Sequence, residues 1–176
     1  MTGGLTAVNM KNFPCDEFCS FQIHHRVNDI GGFSHSPHWM QRRQGLMGLD
    51  LVHRSFDNAW RNGIYEYVHY HSRTHEVLGI ARGHARVRFG GNEGKIIALR
   101  SGDVVILPAG TGHQRISASK QLLVVGAYPP SGTYDECMPL PEHRERALKS
   151  IPKVPTPVKD PVYGKGGPLP ELWRRP

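Results

Sequence analysis

From Gly63 to Tyr128 short apolar runs alternate with tight-turn residues. Ile64–His71, Glu76–Arg82, His84–Phe89, Lys95–Arg100, Asp103–Leu107, His113–Ser117 and Gln121–Tyr128 each read as a strand. Between them stand turn signals such as Gly90-Gly91-Asn92-Glu93-Gly94, Ser101-Gly102 and Pro108-Ala109-Gly110. Seven short strands with no helical period between them predict an all-β sandwich or barrel. Residues 1–58 are read as an irregular N-terminal segment, broken by Gly31-Gly32, Pro37, Gly45 and Gly48, with one short helix expected from Trp39 to Leu51. Residues 59–130 form the barrel core, and residues 131–176 a third region. Its prolines 152, 155, 157, 161, 168, 170 and 176 argue against helix and sheet interior. A short helix is expected from Glu142 to Lys149, followed by an extended strap. Pro152–Pro155 matches PxxP, but Tyr163, Leu169, Leu172 and Trp173 offer apolar anchors, so a strap lying on its own barrel is the preferred reading.

Composition narrows the picture. Hydrophobic residues at 38% and charged ones at 21% fit a globular chain and exclude a wholly disordered one. No window approaches the ~18 apolar residues of a membrane span. The net charge of +7 raises nucleic acid as a partner. However, residues 1–62 carry +1 (six basic, five acidic), 63–140 carry +2 (eight and six) and 141–176 carry +4 (eight and four). The excess sits in the proline-rich tail, so a solvated surface is expected and no nucleic acid. Three cysteines, Cys15, Cys19 and Cys137, are too few for a disulfide framework and suit a reducing cytoplasm.

The eleven histidines carry the chemistry. Alternate residues of a strand share a face, so His69 and His71 point together, with Tyr65 and Tyr67 beside them. Glu76 or His75 can swing back across the Ser72-Arg73-Thr74 turn, and a closed barrel brings His113 to the same spot. Three imidazoles and a carboxylate suit one divalent transition metal per chain: Fe, Mn, Ni, Co or Zn. Around the metal, Tyr65 and Tyr67 are expected as pocket wall and donors. Leu78, Ile80, Val87 and Phe89 are expected as apolar lining by alternation from Glu76, and Arg115 as a contact for an anionic substrate group. A rim arginine in a surface pair is the competing reading of Arg115. Cys15 and Cys19 precede His24-His25, His35 and His38, but the gap of fifteen residues from Cys19 to His35 and the His35–His38 spacing do not fit a zinc finger.

Gly63, His69-Tyr70-His71, Glu76 and Gly83, then Gly102, Pro108-Ala109-Gly110 and His113, match nine fixed positions of the two cupin motifs, G-x5-HxH-x3,4-E-x6-G and G-x5-PxG-x2-H-x3-N. Ser117 stands where the second motif ends in Asn. The chain resembles the cupin superfamily, which implies a double-stranded β-helix, or jelly-roll barrel, with metal ligands His69, His71, Glu76 and His113. The resemblance favours Glu76 over His75, which would then sit beside the metal or carry protons. Trp60-Arg61-Asn62-Gly63-Ile64-Tyr65, His71–Gly79, Val125–Pro129 and Asp160–Gly164 are similar to YjlB-like single-domain cupins. Some proteins of that kind belong to aromatic polyketide pathways. The resemblance therefore implies a metal-dependent oxidoreductase of secondary metabolism acting on a small aromatic, salicylaldehyde-type molecule. A small-molecule-binding cupin without turnover and a metal-dependent isomerase are the other two readings. A homodimer is expected, because a partner often covers the open edge of a small barrel.

Overall fold

The structure, a computed structural model, describes residues 59–173 together with the strands Leu5–Asn9 and Ser20–His24. The helix expected over Trp39–Leu51 and the cluster of Cys15, Cys19, His25, His35 and His38 lie outside the described residues. In chain order the strands are β1 (Leu5–Asn9), β2 (Ser20–His24), β3 (Trp60–Asn62), β4 (Glu76–Arg82), β5 (His84–Phe89), β6 (Lys95–Arg100), β7 (Val104–Leu107), β8 (His113–Ala118) and β9 (Leu123–Ala127). They form a six-stranded sheet ordered β1-β2-β7-β4-β9-β3 and a three-stranded sheet ordered β6-β5-β8. All of these pairings are antiparallel. The stretch read as irregular thus contributes two strands to the larger sheet.

The two-residue period explains the core. Leu78 and Ile80 of β4, Val105 and Leu107 of β7, and Ala85, Val87 and Phe89 of β5 fill the space between the sheets. The intervening positions Val77, Val104, Ile106 and Ala127 face the other way. Val162 and Leu169 of the strap cover them, with Trp173 packed alongside. That cover is why β4 and β7 are buried on both faces. A fully buried Leu such as Leu169 contributes about 1.5–3 kcal/mol to holding the strap on the sheet. Of the expected strap anchors, Leu169 is buried while Tyr163 and Leu172 remain largely exposed. The strap also curls around Asp160, whose carboxylate accepts from the backbone N–H groups of Val162, Tyr163 and Leu169.

Helix α1 (Pro141–Ser150) runs one residue beyond the expected helix at each end, with proline in its first turn, where a missing N–H costs nothing. A 3-10 turn (Ile151–Lys153) follows it. The short α2 (Leu169–Leu172) contains Pro170, so the expectation of no helix in the strap is corrected for the same first-turn reason. Ile64–His71 is also corrected. It is not a regular strand but an irregular segment, bent at Glu66 and Tyr67, with single bridges at His69–His113 and Tyr70–Cys137. Neighbouring residues pair with different partners, so no ladder runs along it. Among the described residues no helix is long and apolar enough to cross a membrane.

Gly83 shows what the turn positions demand. It joins β4 to β5 at φ 77°, and a Cβ there would fall 2.3 Å from Ser119 Oγ.

Candidate metal centre

The bridges of residues 69 and 70 bring the histidines together. His69 N–H donates to His113 O at 3.2 Å, and His113 N–H returns to His69 O at 2.9 Å. On the other side Tyr70 and Cys137 exchange bonds of 2.9 and 2.8 Å. Gly110, at φ 89°, donates to His71 O at 2.7 Å, so the Pro108–Gly112 loop is held against the same segment. His69, His71 and His113 are all buried, with nitrogens of the three rings within 4.8 Å of one another.

Each of the three rings is fixed by a backbone carbonyl. Nδ1–H of His69 donates to Tyr67 O at 3.3 Å, and that of His113 to Thr111 O at 3.1 Å. His71 Nδ1–H donates to the carbonyl of Asp135. A carbonyl can only accept, so each ring carries a proton on Nδ1, and it is Nε2 that, in the neutral ring, presents a lone pair to the centre of the cluster. Asp135 also accepts from Ser72 and from the Arg73 N–H, tying residues 131–137 to the 72–74 turn.

Glu76 completes the set. Its carboxylate is buried, with Oε1 3.4 Å from His71 Nε2 and Oε2 3.2 Å from His113 Nε2. Oε2 and His71 Nε2 have no partner in hydrogen-bond geometry. Buried polar atoms without partners are costly unless something else occupies the space between them. Three nitrogen donors and one such oxygen are the donor types that a divalent transition ion takes. Burial would raise the Glu76 carboxyl, but the imidazoles of His71 and His113 hold it well below the ordinary carboxylate range. Burial also opposes charge on His71, yet the Glu76 carboxylate outweighs it and raises that imidazole to about 9. Burial and then His113 lower His69 to about 4.

The cluster lies in a cavity of about 280 Å³ whose walls include Trp60, Ile64, Tyr65, Leu78, Tyr128 and Tyr134. Of the expected pocket residues, Tyr65 and Leu78 line it. The others do not. Tyr67 stacks on Tyr65 with ring centroids 4.9 Å apart, and its hydroxyl donates to Glu136 at 2.9 Å. Desolvation and that carboxylate push the Tyr67 hydroxyl up to about 12. Arg115 donates to Ile64 O at 2.9 Å and pairs with Glu66 at 2.6 Å, the rim arrangement of the competing reading. Ile80 and Phe89, with Val87, are packed between the sheets, because alternation chose the right face but not the right depth. His75 is corrected as well. Its Nδ1 accepts from Ala109 N–H at 3.0 Å and its Nε2–H donates to Pro155 O at 3.1 Å, with Trp173 5.0 Å away. Both nitrogens are bound to backbone, in the tautomer opposite to that of the other three, so His75 offers neither a ligand atom nor a mobile proton.

Trp60, Tyr128, Tyr134 and Asp135 were not anticipated as site residues. Tyr128 donates to Glu76 Oε1 at 3.2 Å. Burial, then the charge of Glu76, raises its hydroxyl above the ordinary phenol range. Trp60 lies over Gly126, where a Cβ would come within 2.1 Å of its ring. Both stood in stretches that carried the family resemblance, which was the available signal.

The chain matches the Cupin family model over residues 44–136. It is 42% identical over 129 residues to "Uncharacterized protein YjlB" of Bacillus subtilis (strain 168), covering 73% of this chain and 78% of that protein. Among solved structures it is similar to the QdtA 3,4-ketoisomerase of Thermoanaerobacterium thermosaccharolyticum, at 17% identity over 53% of this chain and 74% of that one, with a TM-score of 0.42. It is also similar to the acireductone dioxygenase of Bacillus anthracis, which has a cadmium ion in its active centre, at 14% identity over 64% and 80% with a TM-score of 0.38. The family match, the extent of the YjlB identity and the antiparallel β architecture together place this chain in the cupin superfamily, among the YjlB-like cupins.

Proposed function

We propose that the chain is a metal-dependent oxidoreductase that binds one divalent transition ion through His69, His71, His113 and Glu76 and acts on a small aromatic molecule. The observation that carries this reading is the convergence of three buried imidazoles, each with Nδ1 tied to a carbonyl, on a buried carboxylate with one unpartnered oxygen. When bound, the ion would supply Lewis acidity and, if redox-active, electron transfer. The chain's residues supply the rest. Trp60, Tyr65 and Tyr134 offer ring faces for a planar substrate, and Ile64 and Leu78 keep water from its apolar edge. The cavity volume falls just below the roughly 300–1,000 Å³ of drug-sized sites, which suits a single substituted ring. The setting in secondary metabolism and the salicylaldehyde-type substrate are what the sequence's similarity to cupins of aromatic polyketide pathways implies.

The test is reconstitution with Fe(II), Mn(II), Ni(II), Co(II) or Zn(II), elemental analysis, and oxygen uptake with hydroxybenzaldehydes, hydroxybenzyl alcohols and catechols. The expected result is one ion per chain, with oxygen consumed in proportion to substrate for a redox-active ion and none for Zn(II). Turnover without oxygen or a redox partner replaces this reading with the isomerase. Ligand binding without turnover replaces it with the non-catalytic cupin.

A further inference from the structure

We propose that Tyr128 is a positioning residue for the metal site: its hydroxyl restrains one oxygen of Glu76 and leaves the other to face the ion. The proposal rests on the metal-binding reading of Glu76 and the three histidines. Antiparallel pairing sets it up. Val77 of β4 lies opposite Ala127 of β9, so residue 128 comes beside residue 76. The Tyr128 ring is buried between His71 and Tyr134, with centroid separations of 5.4 Å to each. Packed this way, the ring has little freedom, and its hydroxyl donates to Glu76 Oε1 at 3.2 Å.

A free carboxylate has two equivalent oxygens and can turn about its terminal bond. One donor removes that equivalence. Oε1 is engaged, and Oε2, which has no hydrogen-bond partner and lies 3.2 Å from His113 Nε2, remains for the ion. The four candidate ligands then follow one rule. The carbonyls of Tyr67, Asp135 and Thr111 hold the imidazoles, and the Tyr128 hydroxyl holds the carboxylate. Such outer partners orient ligands and raise affinity, and losing one typically costs 10–100-fold in metal binding.

The test loads full-length wild-type protein, Tyr128→Phe, Glu76→Ala and the double variant with Co(II). It reads the dissociation constant by chelator competition and the visible ligand-field spectrum, with thermal unfolding of the metal-free forms in parallel. Tyr128→Phe is expected to bind Co(II) about tenfold more weakly and to shift the spectrum. In the Glu76→Ala background the same change is expected to do nothing further, because Tyr128 acts through that carboxylate. A merely structural tyrosine would lower the unfolding temperature without moving the spectrum. Unaltered affinity and spectrum in Tyr128→Phe, or an equal loss with and without Glu76, overturns the proposal alone. A wild-type chain that takes up no Co(II) overturns the metal-binding reading with it. If Tyr128→Phe does not fold, 3,5-difluorotyrosine at position 128 keeps the ring and strengthens the donor. A spectral shift then supports the proposal, and an unchanged spectrum refutes it.

Discussion

Replacing His75 by alanine separates a histidine that holds the fold from one that serves the metal. The side chain is buried and bonded at both nitrogens, to Ala109 N–H at 3.0 Å and Pro155 O at 3.1 Å. Truncation strands the Ala109 N–H, in a buried loop, at a cost of about 1–3 kcal/mol. Pro155 is exposed, so its carbonyl can rehydrate and the loss there is about 0.5–1.5 kcal/mol. The sum centres near 3 kcal/mol, or roughly 6–12 °C in unfolding temperature for a chain of this size. Ala109 belongs to the loop that aims His113, and Trp173 packs on the His75 ring, so loosening of the strap should accompany the loss. Urea unfolding with and without a saturating ion measures both consequences. The variant should be less stable by that amount in each state, yet gain the same increment as wild type on adding metal, because the ion's stabilisation depends only on its affinity. If stability is unchanged and the increment disappears, His75 is a ligand and its assignment here is wrong.

Four further outcomes are expected. His113→Ala should stay folded and lose metal at micromolar concentration, as measured by elemental analysis after dialysis; unfolding of both this variant and His69→Ala would show that the ion is structural. Gly126→Ala should drive the Trp60 indole from the pocket wall, since the new Cβ falls within 2.1 Å of it, at a cost of about 1–3 kcal/mol and with a change in tryptophan fluorescence; unchanged fluorescence would count against that contact. His71 in the metal-free site, raised to about 9 by Glu76, must lose its proton to bind an ion. Loading at pH 7.5 should therefore release about one proton per ion, affinity should climb towards pH 9 and then level, and Glu76→Gln should shrink the release; a dye-monitored titration with no proton release contradicts this. The three-stranded sheet ends on β6, which pairs only with β5 among the described residues, and a homodimer is expected to cover an open strand edge of this kind; sedimentation giving only the 176-residue monomer at micromolar concentration refutes it.

What the sequence made legible, and what it did not, follows from how each interaction is encoded. The strands from Glu76 onward were readable because a period of two needs only local residues. The nine motif positions were readable because ligand chemistry demands particular side chains at four of them and the backbone favours glycine or proline at the turns. Parity along residues 65–71 survived even though the segment is not a strand: the rings of Tyr65, Tyr67, His69 and His71 succeed one another at 4.9–5.7 Å. Depth was not readable: Ile80 shares a face with Leu78 but sits about 7 Å further along the strand, past the cavity floor. Nor was the support of the imidazoles. Their Nδ1 acceptors are the backbone carbonyls of Tyr67, Asp135 and Thr111, and every residue has a carbonyl. The same holds for His75, whose partners are one N–H and one carbonyl of the backbone. Which imidazoles face an ion and which brace the fold is therefore decided by tautomer, and tautomer is decided by backbone groups that leave no mark on the residue string. Glu76 opens β4 and His75 immediately precedes it, and in extended chain adjacent side chains point to opposite sides, so the two were not expected to join the cluster together. The carboxylate is the one whose neighbours leave an oxygen without a partner.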